Sequence, residues 1–143
     1  MNITKFIRFM VVLLLLLAGM ASSGYGQGDC NLMAVGANGF GQLGDGDGTT
    51  IDRSTPVQID TGVSQVAAGY CHSLYVKTDG TLWAMGYNLY GQLGDGTTTN
   101  HNTPVQIATD ISQVAAGGYH SLFLQVSYQR KAMPWILLLL MNE

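Results

Sequence analysis

The residues whose types and spacing could do chemistry fall into a few groups. Asp45, Asp47, Thr49 and Asp52 crowd one Gly-rich stretch and could offer oxygens to calcium. Their spacing is that of an EF-hand loop without its distal glutamate, and the matching stretch further along has Thr97 where an acid would be needed. The plainer reading is a solvated turn. Gly39-Phe40-Gly41-Gln42-Leu43-Gly44 spells G-x-G-x-x-G, but that fingerprint works only where a strand turns into a helix, and no helical pattern follows. His72 and His120 each precede Ser-Leu and could suggest a metal pair; His101 lies in a polar stretch with no obvious partner. There is no G-x-S-x-G, no serine with His and acid in a workable frame, and no carboxylate pair for acid–base work. Phe40, Trp83, Tyr87 and Tyr90 could form a binding surface, although aromatic residues beside glycine turns more often pack. The sequence thus assigns no catalytic, cofactor-binding or metal residue and predicts no cofactor and no enzyme activity.

The elements that would carry these residues are set by an internal repeat. Leu32 to Gly46, Leu-Met-Ala-Val-Gly-Ala-Asn-Gly-Phe-Gly-Gln-Leu-Gly-Asp-Gly, lines up fifty residues on with Leu82 to Gly96, Leu-Trp-Ala-Met-Gly-Tyr-Asn-Leu-Tyr-Gly-Gln-Leu-Gly-Asp-Gly. Thr55-Pro56-Val57-Gln58-Ile59, Ser64 to Gly69 and His72-Ser73-Leu74 recur at forty-eight, from Thr103, Ser112 and His120. The change of offset places a two-residue difference in the polar stretch after Gly46, where a surface loop absorbs it. Ser73 to Val76 and Thr81 to Met85 are short apolar runs joined by Lys77-Thr78-Asp79-Gly80, which predicts a hairpin with Gly80 at positive φ. Both runs are apolar on both faces, as in strands buried between stacked sheets. Pro56 and Pro104 are expected to start further short strands, where a missing N–H is harmless. The fold class predicted is all-β: about two blades of four-stranded antiparallel sheet, a partial β-propeller.

At this level the sequence resembles the regulator of chromosome condensation repeat family. Val66 to Val76 and Val114 to Leu124 are similar to its apolar-small-small-Gly-x-x-His-Ser-Leu-x-aliphatic signature, and Asn38 to Gly46 and Asn88 to Gly96 to its Asn-x-x-Gly-Gln-Leu-Gly-Asp-Gly stretch. The resemblance covers residues 29–124, as repeats over 29–76 and 79–124. It implies blades of a propeller that usually closes with seven, of which two are expected here. It also implies that His72 and His120 each order their own blade by hydrogen-bonding backbone. The family's eukaryotic founder is a nuclear exchange factor for a small GTPase that binds chromatin, and a secreted bacterial relative uses the propeller face to dock on β-lactamases.

Composition narrows these options. Lys5 and Arg8, the apolar run from Phe9 to Ala18 and the small residues to Gly24 form the pattern of a signal peptide over residues 1–23, too short in its apolar part to span a bilayer. The expected location is therefore secreted, periplasmic or cell-surface, with no stable membrane span after cleavage. Without the leader, four basic residues face nine acidic ones, a net charge of −5 that disfavours nucleic acid as partner. Cys30 and Cys71 could pair in an exported protein, but the repeat places them at opposite ends of antiparallel strands. Residues 125–143 leave the repeat pattern, and a shifted reading frame is one reading of that tail. The function expected is a non-catalytic protein-interaction module, a truncated secreted or surface propeller that binds an unknown protein and self-associates through exposed blade faces. The alternatives are a fragment or pseudogene product without independent function, a guanine-nucleotide exchange regulator, and a propeller enzyme.

Overall fold

The computed structural model of the protein describes residues 30–127. The leader expected over 1–23, and all of the tail beyond Ser127, lie outside the described residues. Eight strands follow in order: β1 Leu32–Gly36, β2 Arg53–Asp60, β3 Val63–Ala68, β4 His72–Lys77, β5 Leu82–Gly86, β6 His101–Ala108, β7 Ile111–Ala116 and β8 Ser121–Gln125. No helix occurs among the described residues. All pairings are antiparallel, and the strands form three sheets: β1-β2, β3-β4-β5-β6 and β7-β8. This is a partial β-propeller with two blades' worth of strands. The blade is out of phase with the sequence repeat, because β4 of one repeat pairs with β5 of the next. One complete blade therefore stands between an outer half (β1-β2) and an inner half (β7-β8).

Local chemistry explains each turn. Lys77 and Thr81 close the β4–β5 hairpin, with the Lys77 amide donating to the Thr81 carbonyl at 2.9 Å and the Gly80 amide to the Lys77 carbonyl at 3.0 Å. Gly80 sits at φ +81°, as its place in the hairpin predicts. Asp79 accepts from the Thr81 amide and hydroxyl, an Asx turn that fixes the corner. The prolines differ from expectation: Pro56 and Pro104 lie within β2 and β6 rather than at their starts. Both strands are edge strands, and both prolines fall beside a register irregularity, where no ladder donor is lost.

The core is made between blades. One face of the complete blade (Leu74, Val76, Leu82, Ala84) buries with Leu93 against Ile111, Val114 and Ala116 of the inner half-blade. The opposite face (Val63, Tyr75, Met85) meets Leu32 and Ile59 of the outer half-blade. Strands that are apolar on both faces are thus covered on both. Polar ties reinforce the packing. Asp60 accepts from the Tyr75 hydroxyl at 2.8 Å and pairs with Lys77 at 2.9 Å, and the Gln65 side chain donates to the Ser112 carbonyl at 2.7 Å. Burial and the Asp60 carboxylate push the Tyr75 phenol well above its ordinary range.

Leu74 is almost fully buried, whereas Ile51, on the loop before β2, is exposed. Leu74→Ala is expected to lower unfolding stability by about 3 kcal/mol. Ile51→Ala should stay within about 0.5 kcal/mol. Urea denaturation of the two variants checks the difference.

Candidate interaction face

The β3–β4 and β7–β8 turns and the long β1–β2 and β5–β6 loops all leave the sheets at one end. The long loops are held by a buried asparagine each. Asn38 Oδ1 accepts from the Leu43 amide at 3.0 Å, and the Asn38 amide donates to Asp52 at 2.8 Å. Asn88 repeats this with the Leu93 amide at 2.9 Å and Asn100 at 2.8 Å, and its Nδ2 donates to Asp95 at 3.0 Å. Both asparagines are fully buried, so the intervening residues of each Asn-x-x-Gly turn are thrust outward. Those outward positions are Phe40 and Tyr90.

The acidic residues of these loops serve the loops themselves. Arg53 pairs with Asp45 at 2.6 Å and also with Asp47, while Asp47 accepts from the Thr49 amide at 2.8 Å. In the second copy Asp95 meets His101 Nε2 at 2.7 Å, so the histidine that lacked an obvious partner in sequence has one. Burial works against the Asp95 carboxylate. Hydrogen bonds from Thr97, Asn88 and His101 outweigh it and hold the group at about 2. Among the described residues no cluster of three or more His, Cys, Asp or Glu could hold a metal ion. In the G-x-G-x-x-G stretch the Gly41 and Gly44 amides donate to the Asn38 and Gly41 carbonyls, and β2 rather than a helix follows.

His72 and His120 close the short turns, and His72 does not bond its own backbone as the resemblance implied. His72 is buried, and its Nε2 lies 3.0 Å from the hydroxyl of Ser121, on the next blade rather than on its own backbone. Ser121 donates its proton to the Gln92 carbonyl at 2.7 Å, so it accepts from His72, which fixes the Nε2–H tautomer. Nδ1 is then a buried acceptor without a hydrogen-bond partner among the described residues. The ring lies against Gly69, where an added Cβ would come within 2.1 Å of His72 Cε1. Gly69 is required for space, since its φ is not positive. His120 covers Gly117 in the same way, at 2.2 Å. Burial, and then the charge of His120, lower the His72 pKa from its ordinary 6.5.

Above this layer five aromatic rings meet. Phe40 and Tyr87 lie edge to face at 4.9 Å, Tyr87 and Tyr90 at 6.0 Å and Tyr90 and Tyr119 at 5.3 Å, while Tyr70 is tilted against Tyr119 at 6.0 Å. Phe40, Tyr70, Tyr90 and Tyr119 are exposed, as is Leu89 beside them. Burial first, and then Tyr90 and Tyr119, push the Tyr87 phenol upward. Three of the four aromatic residues singled out in sequence are brought together here. Trp83 is not: it lies on β5, stacked with Tyr75 at 6.3 Å, its indole N–H donating to Thr81. Tyr70 and Tyr119 escaped sequence reasoning, although both stand in the Gly-x-x-His turn, one in each copy. Cys30 and Cys71 form no disulfide; Cys30 precedes β1 and Cys71 precedes β4, at opposite ends of the sheets.

The sequence profile of the regulator of chromosome condensation (RCC1) repeat matches residues 32–76 and again 79–124. The chain belongs to the RCC1 repeat family. Over 64 residues it is 39% identical to an X-linked retinitis pigmentosa GTPase regulator homolog of Caenorhabditis elegans, spanning 44% of this chain and 5% of that protein. Over 77 residues it is 38% identical to the ultraviolet-B receptor UVR8 of Arabidopsis thaliana, spanning 51% of this chain and 17% of the receptor. The chain thus covers under a fifth of either relative. Among solved structures it is similar to human WBSCR16, with a TM-score of 0.57, 25% identity, and coverage of 66% of this chain and 26% of that one. It shares its fold with Prp20p of Saccharomyces cerevisiae, with a TM-score of 0.56, 24% identity and coverage of 66% and 27%. In this RCC1-repeat chain the His-Ser pair joins consecutive blades, and the Asn-x-x-Gly loop displays an aromatic residue.

Two predictions follow from the histidine. Gly69→Ala displaces the His72 ring and is expected to lower stability by about 2 kcal/mol, less in a His72→Ala background, so that a double-mutant cycle reads the coupling. Folding weakens proton binding at His72, so the unfolded chain protonates first as pH falls. Its contribution is complete above pH 6.5 and declines below it. Thermal melts between about pH 7.5 and 5.5 should fall for the native chain and flatten for His72→Gln.

Proposed function

We propose that the chain is a non-catalytic protein-interaction module that docks through the aromatic end of its blades. The observation that carries this reading is the cluster of exposed Phe40, Tyr70, Tyr90 and Tyr119 around half-buried Tyr87, gathered from four connections onto anchored loops. Aromatic side chains offer large contact areas at low entropic cost and dominate the energetics of protein interfaces. Exposed tyrosines in mutual contact are partly immobilised before any partner arrives, which reduces the cost of binding. Prp20p, which shares the fold, binds Gsp1p and histones. An acidic body with few cations favours a protein over a nucleic acid at this face.

The leader pattern of residues 1–23 supports action outside the cytoplasm, as a secreted, periplasmic or surface protein. Apolar flanks of the two half-blades support a second kind of contact, self-association. These flanks are separate from the aromatic end.

Photo-crosslinking tests the docking role. A photoreactive phenylalanine analogue at position 90 or 119 should capture a discrete protein, and one at Gln58 on edge strand β2 should not. Tyr90→Ser with Tyr119→Ser should weaken binding of that protein at least about tenfold, with circular dichroism unchanged. Equal capture at position 58, or binding indifferent to the double variant, would sink the assignment.

A further inference from the structure

The two half-blades are complementary pieces of one blade. The repeat equates β7 and β8 with β3 and β4, and β1 and β2 with β5 and β6. In the complete blade β4 pairs with β5 in an unbroken register, Ser73 with Met85, Leu74 with Ala84, Tyr75 with Trp83 and Val76 with Leu82. Among the described residues β8 pairs only with β7 and β1 only with β2, so each keeps the edge that β4 and β5 use for one another.

Burial shows what a completed blade with a neighbour beside it gains. Leu74 is 2% exposed and its equivalent Leu122 is 63%; Val76 is 1% and Leu124 59%; Met85 is 2% and Val35 53%. Identical chemistry is therefore dry in the middle blade and wet at the two ends. The outer half-blade also leaves a groove of about 270 Å³ beside β1, lined by Met33, Ala34 and Val35 on one side and by Val66, Ala68 and Leu74 on the other. Its walls are the β1 edge and the face of the complete blade. In the middle of the molecule the equivalent position is filled by β4, which pairs with β5 and packs its Leu74 against Val114 and Ala116 of β7.

We propose that β8 of one copy pairs antiparallel with β1 of a second copy, completing in trans a blade of order β7-β8-β1-β2. This deepens the self-association reading above and rests on it. The equivalent register sets Leu122 opposite Ala34, Phe123 opposite Met33 and Leu124 opposite Leu32 of the neighbouring copy. Phe123 and Met33, both exposed within one copy, take the places of stacked Tyr75 and Trp83. His120, also exposed, comes to the Ser73 hydroxyl of the neighbouring copy, as His72 comes to Ser121. Ser73 is already oriented for this, donating to the Gln42 carbonyl at 2.8 Å as Ser121 donates to Gln92 at 2.7 Å. The contact is head-to-tail, so copies continue until a ring closes. Propellers hold about 4 to 8 blades, so a ring of whole copies contains an even number of blades and about two to four chains.

Sedimentation equilibrium of the full 143-residue chain tests the inference. A discrete species of about two to four copies is expected. Phe123→Lys and Met33→Glu, each at an exposed position, should separately weaken association at least about tenfold, because each buries an unpaired charge at the new seam. The Phe123→Lys/Met33→Glu double variant sets Lys against Glu at every seam and should recover most of the loss. A monomeric native chain would overturn both the inference and the self-association reading. An oligomer indifferent to both single variants would overturn this pairing alone. Removal of residues 128–143 should leave the number of copies per species unchanged; association appearing only after that removal would show the tail, in cis, to be the occupant of the β8 edge and would overturn the pairing.

Discussion

A sheet with two apolar faces exists in water only between neighbours, and every other feature of this chain follows from that constraint. The complete blade satisfies it: Leu74, Val76, Leu82 and Ala84 are covered on one side, and Tyr75 and Met85 on the other. The stability of such a fold is the sum of what each blade supplies and what its contacts with neighbouring blades add, as in other repeat architectures. Leu74 and Leu122, the same residue in the same motif, differ in exposure solely because one has a blade beside it.

Polar groups in this fold mark the joints. Asn38 and Asn88 are buried where a loop must double back, and their side chains replace the missing backbone partners of the turn. His72 is buried where two blades meet, and its ring fills the space above a glycine while its Nε2 reaches the next blade. Nδ1, without a partner among the described residues, is the residual cost of this joint, and burial, then the charge of His120, make the imidazole resist protonation. Rigid joints of this kind allow apolar rings to stand exposed at the loop tips without collapsing into the core.

Much of this organisation was legible in the sequence. The β4 and β5 runs, the Gly80 hairpin and the loop that absorbs the length difference depend on local pattern, and they appear where the residues place them, whereas β2 and β6 begin ahead of their prolines. Phe40, Tyr87 and Tyr90 were visible as candidates because they flank glycine turns. Tyr70 and Tyr119 were not, since a single tyrosine in a turn of three or four residues carries no periodic signal. His101 and its Asp95 partner lie six residues apart across a loop, and only the fold of that loop reveals the pair.

By itself the sequence determined the all-β class, the repeat and the number of strands, because hydrophobic alternation and turn chemistry act over a few residues. The packing of one blade on the next, the joining of His72 to Ser121 and the separation of Trp83 from the aromatic end were decided by tertiary structure alone. Strand pairing is a contest between distant segments, settled by which faces can be kept from water. No spacing along the chain records that outcome.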